Sequence, residues 1–130
     1  MGYCAEKVAV GLDRFFADLP FRWGVNDCCL APANVLEALG DDRLKLRLQS
    51  EYSDKATALG WIDRGGGFVP LAQRVLNELG YQPTTTNRPG CLAIVVARYG
   101  PSLALGDGNR FWGKAIRGAH LTGEALHIWE

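Results

Sequence analysis

Cysteine is the residue type in this chain best suited to covalent chemistry, and four are present: Cys4, Cys28, Cys29 and Cys91. Cys28 directly follows Asn26 and Asp27, either of which suits the cap of a helix, and the residues after it predict a helix over 28–39. Free N–H groups at a helix start favour the thiolate, the nucleophilic form of cysteine. Cys28 is therefore a candidate nucleophile, and the alternative is a small buried apolar residue.

A cysteine nucleophile needs a base within hydrogen-bond reach, and the sequence holds two histidines, His120 and His127. His120 falls in a predicted loop, and His127 alternates with apolar residues in a predicted last strand. Either imidazole reaches Cys28 only if the last strand runs beside the helix that follows Cys28. Both are candidate bases, with a surface or structural histidine as the alternative. Backbone N–H groups near Cys28 are the candidate oxyanion hole. A carboxylate near a thiol raises the thiol pKa, so Asp27 alone would not activate Cys28. Asp27 is therefore a candidate for the helix cap.

The elements that must position these residues are helices in the first half of the chain and strands in the second. Helical spacing, prolines and glycines predict helices over residues 3–19, 28–39, 41–48, 53–62 and 70–79. Apolar runs predict strands over residues 91–97, 103–105, 110–112 and 126–129, with a hairpin turn at 106–109 and a central position for the first strand. Helices followed by strands indicate an α+β fold. The length predicts a single domain over residues 1–130.

Composition narrows the function classes. The chain has 14 basic residues (Lys and Arg) and 14 acidic residues (Asp and Glu), so its net charge is zero. A nucleic-acid partner is therefore not expected. No apolar run is long enough to span a membrane, and the N-terminus lacks a signal-peptide layout. Reduced thiols are therefore expected, and no metal or cofactor is predicted, although four cysteines gathered around a metal or cluster remain an alternative. Phe111 and Trp112, adjacent in a predicted hairpin, are candidate interface anchors.

The run FRWGVNDC at residues 21–28 resembles the nucleophile segment of the NlpC-type cell-wall peptidases, which are papain-like enzymes that cut peptidoglycan stem peptides. The chain is most similar to the short members encoded beside phage tail-tip and baseplate genes. Further landmarks of that resemblance are Gly40-Asp41, Gly65-Gly66 before a helix, and Trp129 near the C-terminus. The resemblance implies a papain-like fold, with a nucleophile helix followed by a small antiparallel barrel.

The sequence departs from this pattern at the catalytic histidine. The resemblance places that histidine at the start of the second barrel strand, where this chain has Pro101 or Ser102. The expected function is a structural component of a phage or prophage tail tip, with tail proteins as partners, made in the bacterial cytoplasm and located in the virion. The alternative is an active cysteine peptidase or amidase that cuts peptidoglycan during genome delivery, with Cys28 as nucleophile and His120 or His127 as base.

Overall fold

The computed structural model describes residues 3–130 as five α-helices followed by a six-stranded antiparallel sheet. The helices are α1 (Ala5–Leu12), which continues as a π-helical segment over Asp13–Asp18, α2 (Leu30–Ala38), α3 (Arg43–Glu51), α4 (Lys55–Arg64) and α5 (Phe68–Glu78). The strands are β1 (Pro83–Thr84), β2 (Leu92–Ala97), β3 (Gly100–Gly106), β4 (Phe111–Lys114), β5 (Ala119–Thr122) and β6 (His127–Trp129). The predicted α+β class, with helices first and strands after, is confirmed.

The sheet is open, with the strand order β1-β6-β2-β3-β4-β5, and is not closed into the barrel that the resemblance implies. Its centre is the β2–β3 hairpin, in which Leu92 lies opposite Leu105 and Ala97 lies opposite Gly100. The predicted central position of the 91–97 strand is therefore confirmed. The turn predicted at 106–109 joins β3 to β4, and the Asp107 carboxylate stabilises it by accepting the Asn109 N–H.

Side chains on both faces of the central strand are buried. Leu92 and Ile94 belong to the main core, which includes helix residues, whereas Ala93 and Val95 belong to a second cluster with residues of β3 and β4. A strand that is buried on both faces carries apolar residues at consecutive positions instead of alternating ones. That pattern explains the continuous apolar run in the sequence.

Each of the five predicted helix starts differs from the structure by two residues, since α1 to α4 begin later than predicted and α5 begins earlier, at Phe68. The second helix begins at Leu30 instead of Cys28, because the Asp27 carboxylate accepts the N–H groups of Cys29 and Leu30 and leaves Cys28 in the turn before the helix. The fourth helix begins at Lys55 instead of residue 53, because Asp54 caps it and the Asp54 carboxylate accepts the Thr57 N–H.

The loop predicted around His120 is wrong, because His120 lies in strand β5, opposite Gly113 of β4. Residues 119–122 have no clear alternation of apolar and polar types, and pairing with β4 makes them a strand. The two-residue strand β1 is likewise absent from the predicted strands, and it forms through pairing with β6. Both strands illustrate that strand formation depends on neighbours more than on intrinsic preference.

Phe111 is not the interface anchor that the sequence predicts, because it is 3% exposed and packs in the second cluster. Trp112 is half-buried, and its indole Nε1–H donates to the Asp107 carboxylate at 2.9 Å. Both residues therefore stabilise their own hairpin. Among residues 3–130, none of the helices has the length and apolar content that a bilayer-spanning helix requires.

Candidate active-site cleft

The turn before Cys28 depends on a glycine. Gly24 has φ of +79°, and a Cβ atom at this position would collide with the Ser53 carbonyl oxygen. The Gly24 N–H donates to the Asp27 carboxylate at 2.9 Å. The glycine that follows Trp23 in the sequence is thus explained by a close approach between this turn and the α3–α4 connection.

Asp27 is the polar centre of the turn and is fully buried. Its carboxylate accepts the N–H groups of Gly24, Cys29 and Leu30, and also the Tyr52 hydroxyl at 2.8 Å. Burial raises the pKa of Tyr52 far above its usual range, so the hydroxyl remains a donor. This network fixes the backbone at residues 27–30 and therefore the position of Cys28.

Asn26, the other predicted cap, has a different role. Its side-chain amide donates to the Phe15 carbonyl oxygen at 2.8 Å, and its oxygen accepts from the Asn34 amide at 3.1 Å. Asn26 therefore joins the turn to the end of the first helix and to α2. Asp27 alone of the two caps α2.

The thiols of Cys28 and Cys29 are 4.0 Å apart and form a hydrogen-bonded pair. The hydrogen bond from Cys29 lowers the pKa of Cys28 below its usual value, although burial and the Asp27 carboxylate oppose that shift. The same hydrogen bond, together with burial, raises the pKa of Cys29 well above its usual value. When one proton leaves the pair, the thiolate therefore forms at Cys28, and Cys29 remains the donor.

Ser102 of β3 is the strand residue that interacts with Cys28. Its hydroxyl donates to the Leu103 carbonyl oxygen at 3.2 Å and is near enough to the Cys28 thiol to contribute to the lowered pKa of Cys28. Ser102 is 8% exposed. The helix start that carries Cys28 is therefore packed against the beginning of β3.

The structure separates the two histidines. His120 and Cys28 line the same cavity, and the His120 Nε2 atom is buried without a hydrogen-bond partner among residues 3–130. His127 is exposed and lines a different pocket, where its Nε2 is 3.3 Å from the Gln73 amide nitrogen. No hydrogen bond joins either imidazole to the Cys28 thiol in the described part of the chain. A Cys–His pair is therefore not formed, and His120 alone lies in the cleft.

Few backbone donors remain for an oxyanion. The carboxylate of Asp27 already accepts the N–H groups of Cys29 and Leu30. Within residues 3–130, the Cys28 N–H has no hydrogen bond to another residue. Of these three donors, the Cys28 N–H is therefore the one left to a ligand.

Two polar residues of the cleft, Tyr52 and Lys114, were not predicted from the sequence as site residues. Lys114 of β4 is 5% exposed, and its ammonium group donates to the carbonyl oxygens of Phe16 and Leu19, each at 2.7 Å. Burial lowers the pKa of Lys114. A single lysine in a short strand and a tyrosine after a helix carry no signal in the sequence, because their roles depend on long-range contacts.

The four cysteines do not form an assembled set of metal ligands among residues 3–130, as the alternative of a four-cysteine metal site would require. The group there whose ligand atoms converge is Asp27, Cys28 and Cys29. Cys4 is exposed, Cys91 is buried in the second cluster, and no disulfide joins the four thiols. A metal at the converging group would also have to displace the hydrogen bonds that the Asp27 carboxylate accepts.

Fold and site together define an α+β domain with a thiol set at a helix start, facing a cleft between the helices and the end of an antiparallel sheet. The chain belongs to a family described as a domain of unknown function, DUF6950, whose sequence profile matches residues 6–130. No curated protein and no solved structure matches the chain.

Proposed function

We propose that this chain is a papain-like domain of the NlpC type that serves as a structural component of a phage or prophage tail tip or baseplate. The arrangement that supports this proposal is a cysteine at a helix start, packed against the beginning of β3. That strand belongs to an antiparallel sheet that follows the helices in the chain. In the resemblance that starts from residues 21–28, the catalytic histidine stands at the position of Pro101 or Ser102, and of these two Ser102 is the one that influences the Cys28 pKa. The site then keeps the nucleophile and lacks its base.

One observation carries the non-hydrolytic assignment. In the described part of the chain the Cys28 thiol is hydrogen-bonded to the Cys29 thiol, and the nearby Ser102 hydroxyl donates to the Leu103 carbonyl oxygen. Neither Cys29 nor Ser102 accepts a proton at neutral pH as an imidazole does. A lowered pKa alone gives a reactive thiolate. Peptide-bond cleavage also needs a group that protonates the leaving amine, and that group is absent from the thiol's hydrogen-bond partners.

A second candidate function, an active cysteine peptidase or amidase acting on peptidoglycan, is favoured by one observation. His120 faces the cavity of Cys28 with a buried, unpartnered Nε2. In this mechanism a shift of β5 would bring the imidazole to the thiol, and the Cys28 N–H would bind the oxyanion. His127 has no part in it, since it lines the other pocket.

Coexpression with the proteins encoded beside this chain tests both candidates. We expect the wild-type protein and Cys28→Ser to enter the same complex, measured by native mass spectrometry, and neither to release soluble stem peptides from purified peptidoglycan. Failure to associate with any of these proteins would overturn the structural assignment. Release of stem peptides by the wild type, but not by Cys28→Ser or His120→Ala, would establish the peptidase instead.

A further inference from the structure

The cleft beside Cys28 is much larger than a thiol requires. Its volume is about 970 Å³. That volume is at the upper end of the range for pockets that enclose small molecules. Large apolar side chains cover much of its wall, including Phe21, Trp23, Leu59, Trp61, Ile62 and Phe68. An apolar ligand would remove this surface from water.

Three polar side chains of the cleft are already hydrogen-bonded within the protein, whereas the His120 Nε2 atom and the Cys28 N–H have no partner among residues 3–130. Asp27 accepts backbone N–H groups, Tyr52 donates to Asp27, and Lys114 donates to two backbone carbonyl oxygens. A peptide in the cleft would bury backbone groups that find few partners there, at a cost of about 1–3 kcal/mol for each unpaired group. A hydrocarbon chain needs no such partners, so the wall chemistry favours hydrocarbon over peptide.

The mouth of the cleft is cationic. Arg98, in the β2–β3 turn, and Arg117, in the β4–β5 turn, line the cavity, and neither is in an ion pair in the described part of the chain. The one carboxylate among the residues that line the cavity is Asp27, which is buried. Beside the arginines lie Tyr99, 89% exposed, and Ile116, 74% exposed. The two turns therefore present positive charge next to apolar surface.

We propose that this cleft binds a long-chain carboxylate, with its hydrocarbon chain against the aromatic wall and its carboxylate between Arg98 and Arg117. Guanidinium groups bind carboxylates through paired, charge-assisted hydrogen bonds. The anionic end explains the uncompensated charge at the mouth, and the chain explains the apolar wall. This inference is independent of the tail-tip assignment, because it uses neither the thiol nor a protein partner.

The test is calorimetric titration of the full chain with oleate below its critical micelle concentration, repeated with oleyl alcohol and with Arg98→Gln/Arg117→Gln. Quenching of tryptophan fluorescence is a second readout, because Trp23 and Trp61 line the cleft. We expect oleate to bind with a Kd of about 10 μM, and the double variant to weaken binding about tenfold. The matched control is Arg14→Gln/Arg110→Gln, which removes the same charge from exposed positions outside the cavity lining and should leave the Kd unchanged.

Several outcomes would overturn the proposal. These are no heat and no quenching with oleate, equal affinity for oleyl alcohol, or the same Kd in the Arg98→Gln/Arg117→Gln variant. Sedimentation with phosphatidylglycerol vesicles in the absence of monomeric oleate binding would identify a bilayer surface as the partner. Tighter binding of an apolar peptide with a free carboxylate would identify a protein segment as the occupant.

Discussion

Replacing Asp27 with alanine is expected to lower the free energy of unfolding by about 4 kcal/mol, a large share of the 5–15 kcal/mol typical of a domain. The change removes the acceptor for the N–H groups of Gly24, Cys29 and Leu30 and for the Tyr52 hydroxyl. These groups are buried or partly buried, so water replaces the carboxylate poorly. Urea denaturation monitored by circular dichroism measures the loss.

Asp54→Ala is the matched control for that experiment. Asp54 also caps a helix through its carboxylate, but at an exposed end where water can take over the role. We expect Asp54→Ala to lose only a small part of what Asp27→Ala loses. Similar losses in the two variants would mean that Asp27 acts as an ordinary cap, and that the buried network does not hold the Cys28 turn.

Ser102→His is expected to raise the alkylation rate of Cys28 at pH 6 about tenfold. An imidazolium beside a thiol can lower the thiol pKa by several units, so most of the thiol becomes thiolate at this pH. The gain in rate is smaller than the gain in thiolate, because nucleophilicity falls with pKa. The prediction rests on the position of Ser102, which lines the same cavity as Cys28 and is near enough to contribute to its lowered pKa.

The control for this substitution is Val96→His, which adds the same side chain to an exposed position of β2. Its alkylation rate should equal that of the wild type. An unchanged rate in a folded Ser102→His protein would mean that Ser102 does not occupy the position of a catalytic base. The proposal of a papain-like domain that has lost its base would then lose its argument from Ser102.

The order of elements and the residue at the centre of the site were predictable from the sequence, because they depend on local signals. Pro20, Gly40 and Gly80 mark helix ends, and Asp27 has the side chain and position of a cap. The apolar run after residue 90 is long and uninterrupted, so its central place in the sheet was predictable too.

The rest of the site depends on contacts between distant residues. The sequence gives no reason to place Tyr52 on Asp27 or Lys114 on the end of the first helix, since each contact spans at least 25 residues. The roles of His120 and His127 were undecidable from sequence for the same reason. The two histidines line different pockets because of the sheet order, in which β5 lies at one edge and β6 lies beside β2.

The pH dependence of Cys28 alkylation by iodoacetamide, with Cys28→Ser as the control, tests the central claim most directly. A cysteine whose thiolate is stabilised by Cys29 and Ser102 should react with one inflection, below the ~8.5 of a free thiol, and His120→Ala should not move it. Thiolate reactivity that persists below about pH 5 and disappears in His120→Ala would show a thiolate–imidazolium pair. That result would contradict the claim that the site lacks its catalytic base, and it would identify the protein as an enzyme.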